Sequence, residues 1–264
     1  LHFGRVSRHA RFNARGYHEQ PEVMRVNEQA LALSGGRWDA PPADCVVHPR
    51  LLENMSAVAG ELLNSAPWGI NACGIKDPRM VLLLDQWIEA IGAHGIADVA
   101  LAGSFRHPEA VTGSLATRDG MDREQALGLW LAYNRRLVDR HSLSPFPLVE
   151  YDLSDPVAYC RRVEAMARTL GLNPSLAHLR WFAAPELQHE QAAARDVDPS
   201  CRELWEYLRA NAHTVTDSCS SVDERRLGGG LAESLQLAEG RVREAAFAIR
   251  RRLRTRLARA GKDQ

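Results

Sequence analysis

Lysine is almost missing from this sequence. Of the 33 basic residues only Lys76 and Lys262 are lysines, and the rest are arginines. An ammonium is a compact point charge whereas a guanidinium is a planar fork, so one lysine kept within an arginine-rich chain indicates a position that needs the ammonium. Lys76 follows a short apolar run and precedes Asp77-Pro78, and we predict that it lies where a strand meets a helix. The alternative is a surface lysine retained by chance.

The sequence also lacks an excess of charge, a long apolar run and paired cysteines. Its 33 basic and 33 acidic residues cancel, which favours neither nucleic acid nor a membrane surface as partner. No apolar run reaches membrane-spanning length and no signal-peptide core is found, so we expect no membrane span and a cytoplasmic location. The chain begins at Leu1 rather than Met, which leaves a fragment of a longer protein as an open alternative.

The five cysteines are scattered and form no C-x-x-C pair, which predicts reduced thiols and no metal site. They are Cys45, Cys73, Cys160, Cys201 and Cys219.

Apolar periodicity and helix-end residues predict strands that alternate with helices. Asp77-Pro78 and Asp155-Pro156 have an N-cap residue followed by proline, and Asp122 with Gln125 resembles a capping box. The alternation predicts an α/β fold, a parallel sheet flanked by helices. The predicted helices are 22–33, 51–63, 79–91, 122–138, 156–170 and 200–212, and the predicted strands are 72–75, 99–105 and 147–151.

The pattern changes in the last third of the chain. We predict an α/β domain over residues 1–185 and a helical C-terminal extension over 186–264, with a mobile Ser/Gly-rich loop at about 214–230. Apolar residues then recur every three or four positions among arginines, and we interpret them as a helix that packs or pairs two chains into a homodimer. These residues are Leu231, Leu235, Ala238, Val242, Ala245, Ile249, Leu253 and Leu257.

Arg106 and Ser114 form a second candidate site. Arg106 ends the most strand-like run, and ligands of open α/β sheets bind at the carboxyl ends of strands. Ser114 is about two turns into the following helix, roughly 9 Å along it, so the arginine side chain can reach back and both groups could hold one phosphate. The alternative is a solvent-facing arginine and a serine that packs within its helix.

Together these motifs resemble the sulfotransferase family, particularly its bacterial members. The resemblance covers about residues 13–172, in family order and spacing. It consists of Asn13-Ala-Arg-Gly-Tyr17-His-Glu19, Gly35-Gly36-Arg37-Trp38, Lys76-Asp-Pro-Arg79, Arg106-His-Pro with Ser114, Leu129-Trp130-x-x-Tyr133-Asn134 and Tyr151-Asp-Leu-Ser-Asp155-Pro156.

The resemblance implies a P-loop-NTPase-like fold and transfer of a sulfuryl group from 3′-phosphoadenosine 5′-phosphosulfate (PAPS) to a hydroxyl or amine, with PAP as product. It assigns Arg106 and Ser114 to the 3′-phosphate, Tyr151 to the adenine and Lys76 to the phosphosulfate bridge, where a cation stabilises the leaving oxygen. The acceptor must lose a proton, and Glu19 is the candidate base, with His18 as the alternative. Asp77 is interpreted as an N-cap. The expected acceptor is a small molecule, a glycan or a lipid-linked sugar, and no metal is implied.

The sequence departs from the family at one important place. Family members begin with a strand and a loop resembling Arg-Ser-Gly-Thr that cradles the 5′-phosphosulfate, and the sequence contains no such segment. A non-catalytic, sulfotransferase-like interaction protein is therefore the alternative function. A nucleotide kinase would need G-x-x-x-x-G-K-[ST], which is also missing.

Overall fold

The structure, a computed structural model, describes residues 1–7, 18–45, 48–70, 72–96, 98–174 and 196–212. All of them belong to one compact unit, Leu1–Val215. The Asn13–Tyr17 motif, Cys219, the 214–230 loop and the apolar stripe of the C-terminal extension lie outside the described residues. The domain boundary at 185 and the homodimer therefore stay predictions.

The described unit is mixed α/β and mostly helical, which confirms the fold class in its coarser form. The predicted caps are present: side chains of Asp77, Asp122 and Asp155 accept hydrogen bonds from backbone N–H groups in the first turns of their helices. The helices are α1 (Pro21–Leu33), α2 (Pro49–Ser65), α3 (Leu84–Gly92), α4 (Pro108–Asp119), α5 (Arg123–Leu143), α6 (Pro156–Thr169) and α7 (Arg202–Ala210), with 3-10 helices at Pro78–Leu82 and Pro199–Cys201.

Two short strands form the sheet of the described residues. β1 (Gly103–Phe105) and β2 (Leu148–Glu150) run parallel, and Phe105 pairs with Glu150. A Cβ on Gly103 would lie 2.5 Å from the buried Leu148 side chain, so any larger residue at this position would force the Leu148 side chain to shift. The connection through α4 and α5 provides the crossover that parallel strands need.

Three sequence expectations need correction. Residues 72–75 form one isolated bridge, between Cys73 and His2, instead of a strand of the sheet. The apolar run 99–105 is paired only in its last three residues, β1. The predicted helix 79–91 is divided, because Leu83 (φ −130°) interrupts the helical backbone between the 3-10 helix and α3.

Four clusters of buried side chains hold the unit together, and α5 contributes to two of them. The first cluster joins α1, α2 and α3 around Trp87, Met55 and Val26. The second joins β1, β2, α5 and α7, with Trp130 and Trp205 among its members. The third lies between α4 and α5, and the fourth covers α6. The long helix α5 thus connects the sheet to the rest of the unit, and it extends to Leu143, past the predicted end at 138.

Candidate functional site

One buried glutamine fixes the backbone around Lys76. The Gln20 side chain donates to the carbonyl oxygens of Phe3 (3.0 Å) and Gly74 (2.7 Å) and accepts from the Lys76 N–H (2.9 Å). Gln20 is 4% exposed, so its amide replaces the ladder hydrogen bonds that a neighbouring strand would supply. Sequence reasoning missed this role, because a glutamine before the proline of a helix start has no special meaning.

Lys76 and Glu19, the two predicted catalytic residues, meet in the structure. The Lys76 ammonium donates to Glu19 Oε1 at 2.9 Å. The Glu19 side chain is only 11% exposed whereas that of Lys76 is 46% exposed. The carboxylate is therefore covered by protein while the ammonium reaches solvent, and together they offer a cation and a proton acceptor side by side.

The backbone before Glu19 has an unusual conformation. His18 has φ 55°, in the left-handed region that residues other than glycine occupy uncommonly. Its neighbours hold it there: the His18 N–H donates to the Ser7 carbonyl (3.2 Å) and the Ser7 N–H to the Glu19 carbonyl (2.7 Å). Such strain persists where surrounding contacts over-determine it, and here it directs the chain that carries Glu19.

Asp77 has a structural role, as the sequence interpretation held. Its carboxylate, fully buried, accepts from the Arg79 N–H and pairs with the Arg79 guanidinium at 2.8 Å. Arg79 also reaches Glu28 of α1 at 2.8 Å. Both oxygens of the Asp77 carboxylate are engaged, Oδ1 in the cap and Oδ2 in the ion pair. The Lys76 ammonium occupies Oε1 of Glu19, so Glu19 remains the better candidate of the two.

Arg106 and Tyr151 come together at the other predicted part of the site. They directly follow β1 and β2, whose last residues pair, and the Arg106 guanidinium lies 5.5 Å from the centroid of the Tyr151 ring. The Trp130 indole N–H donates to the Arg106 carbonyl (2.9 Å), which ties this strand end to α5. A guanidinium beside an aromatic ring can hold a phosphate and a stacked base at once.

The surroundings of Arg106 contain further ionisable groups. Burial lowers the pKa of His107, whose Nδ1 accepts from the Glu109 N–H and caps α4. Burial raises the pKa of Glu150 at the end of β2, and Arg209 of α7 opposes that shift. Burial likewise raises the pKa of Tyr151, with Arg106 acting against it. Burial is the main cause of the pKa shift in each of these three groups.

Ser114 lies in α4, half-buried, seven residues into the helix. The structure places it on the helix that Arg106 precedes, and its part in phosphate binding stays a prediction.

Helix α5 links the two parts of the site. Trp130 contacts Arg106, and one turn later the Tyr133 hydroxyl donates to the Trp38 carbonyl at 2.9 Å. The charges of Arg79 and Asp77 act on Tyr133, although burial is the main cause of its raised pKa. The residues that directly follow Lys76 and the end of β1 at Arg106 therefore lie along the same face of α5. Sequence reasoning had identified both aromatic residues as helix positions without assigning these contacts.

Other properties of the described residues bear on ligands. The four described cysteines form no disulfide. Within the described ranges no group of three or more His, Cys, Asp or Glu side chains is placed to hold a metal ion. None of the helices in those ranges combines the length and apolar character needed to cross a bilayer.

Comparisons with known proteins give no assignment. No protein-family model, curated protein or solved structure matches the chain. The function must therefore be argued from the two residue pairs and their surroundings.

Proposed function

We propose that this protein transfers a sulfuryl group from PAPS to a hydroxyl or amine of an acceptor. The observation that carries the proposal is the pair Arg106–Tyr151 at the adjacent carboxyl ends of β1 and β2, the position at which open α/β folds bind nucleotides. The Lys76–Glu19 pair supports it, since the chemistry needs both a cation and a base. The resemblance to sulfotransferases assigns roles to these four residues and to Ser114.

Each residue has a defined part in the proposed reaction. Arg106, with Ser114, binds the 3′-phosphate of PAPS, and Tyr151 lies by the adenine. The acceptor oxygen attacks sulfur and forms the new S–O bond while the bond from sulfur to the bridging phosphate oxygen breaks. That oxygen keeps the electron pair and leaves with PAP, stabilised by the Lys76 ammonium. The acceptor proton passes to the Glu19 carboxylate, through Oε2 because Oε1 holds Lys76.

Calorimetric titration of the full chain with PAP tests the nucleotide site. We expect saturable binding that Arg106→Ala reduces by about 30- to 160-fold, because a charged hydrogen-bonding partner of phosphate contributes roughly 2–3 kcal/mol. Arg25→Ala is the matched control, since Arg25 is an exposed arginine of α1 whose guanidinium bonds only within its own helix, to Gln29. Equal PAP affinity in wild type and Arg106→Ala would contradict the assignment.

The missing loop favours a second candidate function, a non-catalytic interaction protein. The sequence holds no segment resembling Arg-Ser-Gly-Thr. The same titration separates the two candidates. A chain that unfolds cooperatively yet binds no PAP supports the interaction protein and contradicts the PAP site proposed for this chain.

A further inference from the structure

A cleft of about 340 Å³ opens beside α1, within the size range of small-molecule sites. One wall comes from successive turns of α1 and the other from the turn that follows this helix. Its lining residues are Glu28, Ala32, Gly36, Arg37, Trp38 and Asp39. We call it the Trp38 cleft.

The turn that forms one wall is held rigidly. Arg37 and Ala40 exchange two backbone hydrogen bonds (2.9 and 3.3 Å), and the Arg37 guanidinium binds Asp39 through two nitrogens (3.0 and 2.7 Å). A Cβ at Gly36 would lie 2.4 Å from the Pro42 ring, so the turn needs glycine there. A wall fixed before binding loses little conformational entropy when a ligand enters.

Trp38 anchors this wall to the interior. Its ring packs with the cluster between α4 and α5, and the Arg118 guanidinium lies 5.6 Å from the ring centroid. The Tyr133 hydroxyl donates to the Trp38 carbonyl. Trp38 is half-buried, and these contacts hold it in place as one of the residues that line the cleft.

The charges of the lining select the chemistry of a ligand. Glu28 is paired with Arg79 and Asp39 with Arg37, so the cleft has no unbalanced positive charge for an anion. The two carboxylates accept hydrogen bonds from hydroxyl groups of a ligand, and the Arg37 guanidinium donates hydrogen bonds to such hydroxyl groups. Polar groups of both kinds around one aromatic ring suit a compound with several hydroxyls and an apolar ring face.

The cleft is connected to the proposed reaction centre by ion pairs. Glu28 in its wall contacts Arg79, which contacts Asp77, the neighbour of Lys76 in sequence. We propose that the Trp38 cleft binds the sulfuryl acceptor and that this acceptor is an uncharged sugar or a similar polyol. Its identification as an acceptor site rests on the proposed sulfuryl transfer, whereas the binding of an uncharged sugar does not.

Saturation-transfer NMR of the full chain with methyl β-D-glucoside, methyl β-D-galactoside and methyl α-D-mannoside, in the absence of nucleotide, tests the binding. We expect signals from the ring protons of at least one of them and weaker signals from glucose 6-phosphate, because the cleft offers no unbalanced positive charge to its phosphate. Trp38→Ala should weaken the sugar affinity about tenfold or more.

A second variant fills the cleft instead of removing Trp38, which keeps the test independent of any effect of Trp38→Ala on folding. Ala32→Trp places a large side chain in the cleft from an exposed helix position, and Leu33→Trp, the neighbouring residue at 62% exposure and not part of the lining, is its matched control. We expect the sugar signals to disappear in Ala32→Trp and to persist in Leu33→Trp.

The outcomes separate this inference from the donor proposal. No signal from any of the three sugars, equal signals in Ala32→Trp and Leu33→Trp, or stronger binding of glucose 6-phosphate would overturn the sugar cleft, and PAP titration would still decide the donor site. Sugar binding by a chain that does not bind PAP would keep the cleft and remove its role as acceptor site.

Discussion

Replacing Gln20 by leucine tests whether this side chain builds the Lys76 segment. Leucine has a similar size and no polar atom, so the change removes three hydrogen bonds and leaves the Phe3 and Gly74 carbonyls and the Lys76 N–H without their partner. A neutral hydrogen bond contributes about 1 kcal/mol net. Because Phe3 is 37% exposed and its carbonyl can be partly hydrated, we expect the free energy of unfolding to fall by about 2–3 kcal/mol.

Urea denaturation of the full chain, followed by tryptophan fluorescence, measures this change. For a chain of this size the same loss lowers the thermal midpoint by roughly 5–10 °C. Gln29→Leu is the matched control: Gln29 is an exposed residue of the same helix, and its side chain accepts a single bond from Arg25. The free energy of unfolding of Gln29→Leu should stay within about 0.5 kcal/mol of the wild-type value.

Gln20→Glu sharpens the same test. A carboxylate keeps an acceptor for the Lys76 N–H but turns an oxygen toward the two carbonyls that the amide nitrogen now serves. We expect this variant to be at least as unstable as Gln20→Leu at neutral pH and to recover part of the loss near pH 4, where the carboxyl group gains a proton and can donate. A Gln20→Leu variant as stable as Gln29→Leu would refute the role of the glutamine.

Two further predictions concern histidines. Burial lowers the pKa of His107, so the unfolded chain takes up a proton as the pH falls through about 6.5 while the folded chain resists, and stability is lost in that window. His107→Asn, which can still cap α4, should lose less stability than wild type between pH 7 and pH 5 in urea titrations. Parallel plots of stability against pH for the two proteins would contradict this. At residue 18, where φ is 55°, glycine should be tolerated, whereas His18→Val should be less stable than His18→Gly by about 1–2 kcal/mol. Equal urea midpoints of the two variants would mean that the backbone there is not left-handed.

The helix ends could be predicted closely because they depend on local chemistry. An aspartate before proline or a helical run supplies an acceptor for first-turn N–H groups whatever lies beyond the helix. Asp122 and Asp155 act in this way, and α1 and α2 begin and end within two residues of their predicted bounds. The end of α5 was missed by five residues, because His141 is held by the Tyr207 hydroxyl of α7, a distant residue in sequence.

Strands were predicted less well, since a strand exists only where a partner pairs with it. The run 99–105 is apolar apart from Ser104, yet only Gly103–Phe105 pairs with β2. Residues 72–75 pair with the chain at His2 rather than with the sheet. An apolar run predicts that the segment is buried but does not predict which strand pairs with it.

The amino-acid sequence by itself determined the helices, their caps and the residue types of the candidate site, because these follow from neighbours within a few positions. Only the tertiary structure decided which of those residues meet. Lys76 reaches Glu19 across 57 positions, and Arg106 lies beside Tyr151 because β1 and β2 pair in parallel. The Trp38 cleft has its wall in place because Trp38, in the turn after α1, packs against the cluster between α4 and α5. Contacts of this kind depend on the packing of whole elements, whose net energy is a small difference between large terms, and local patterns do not contain that information.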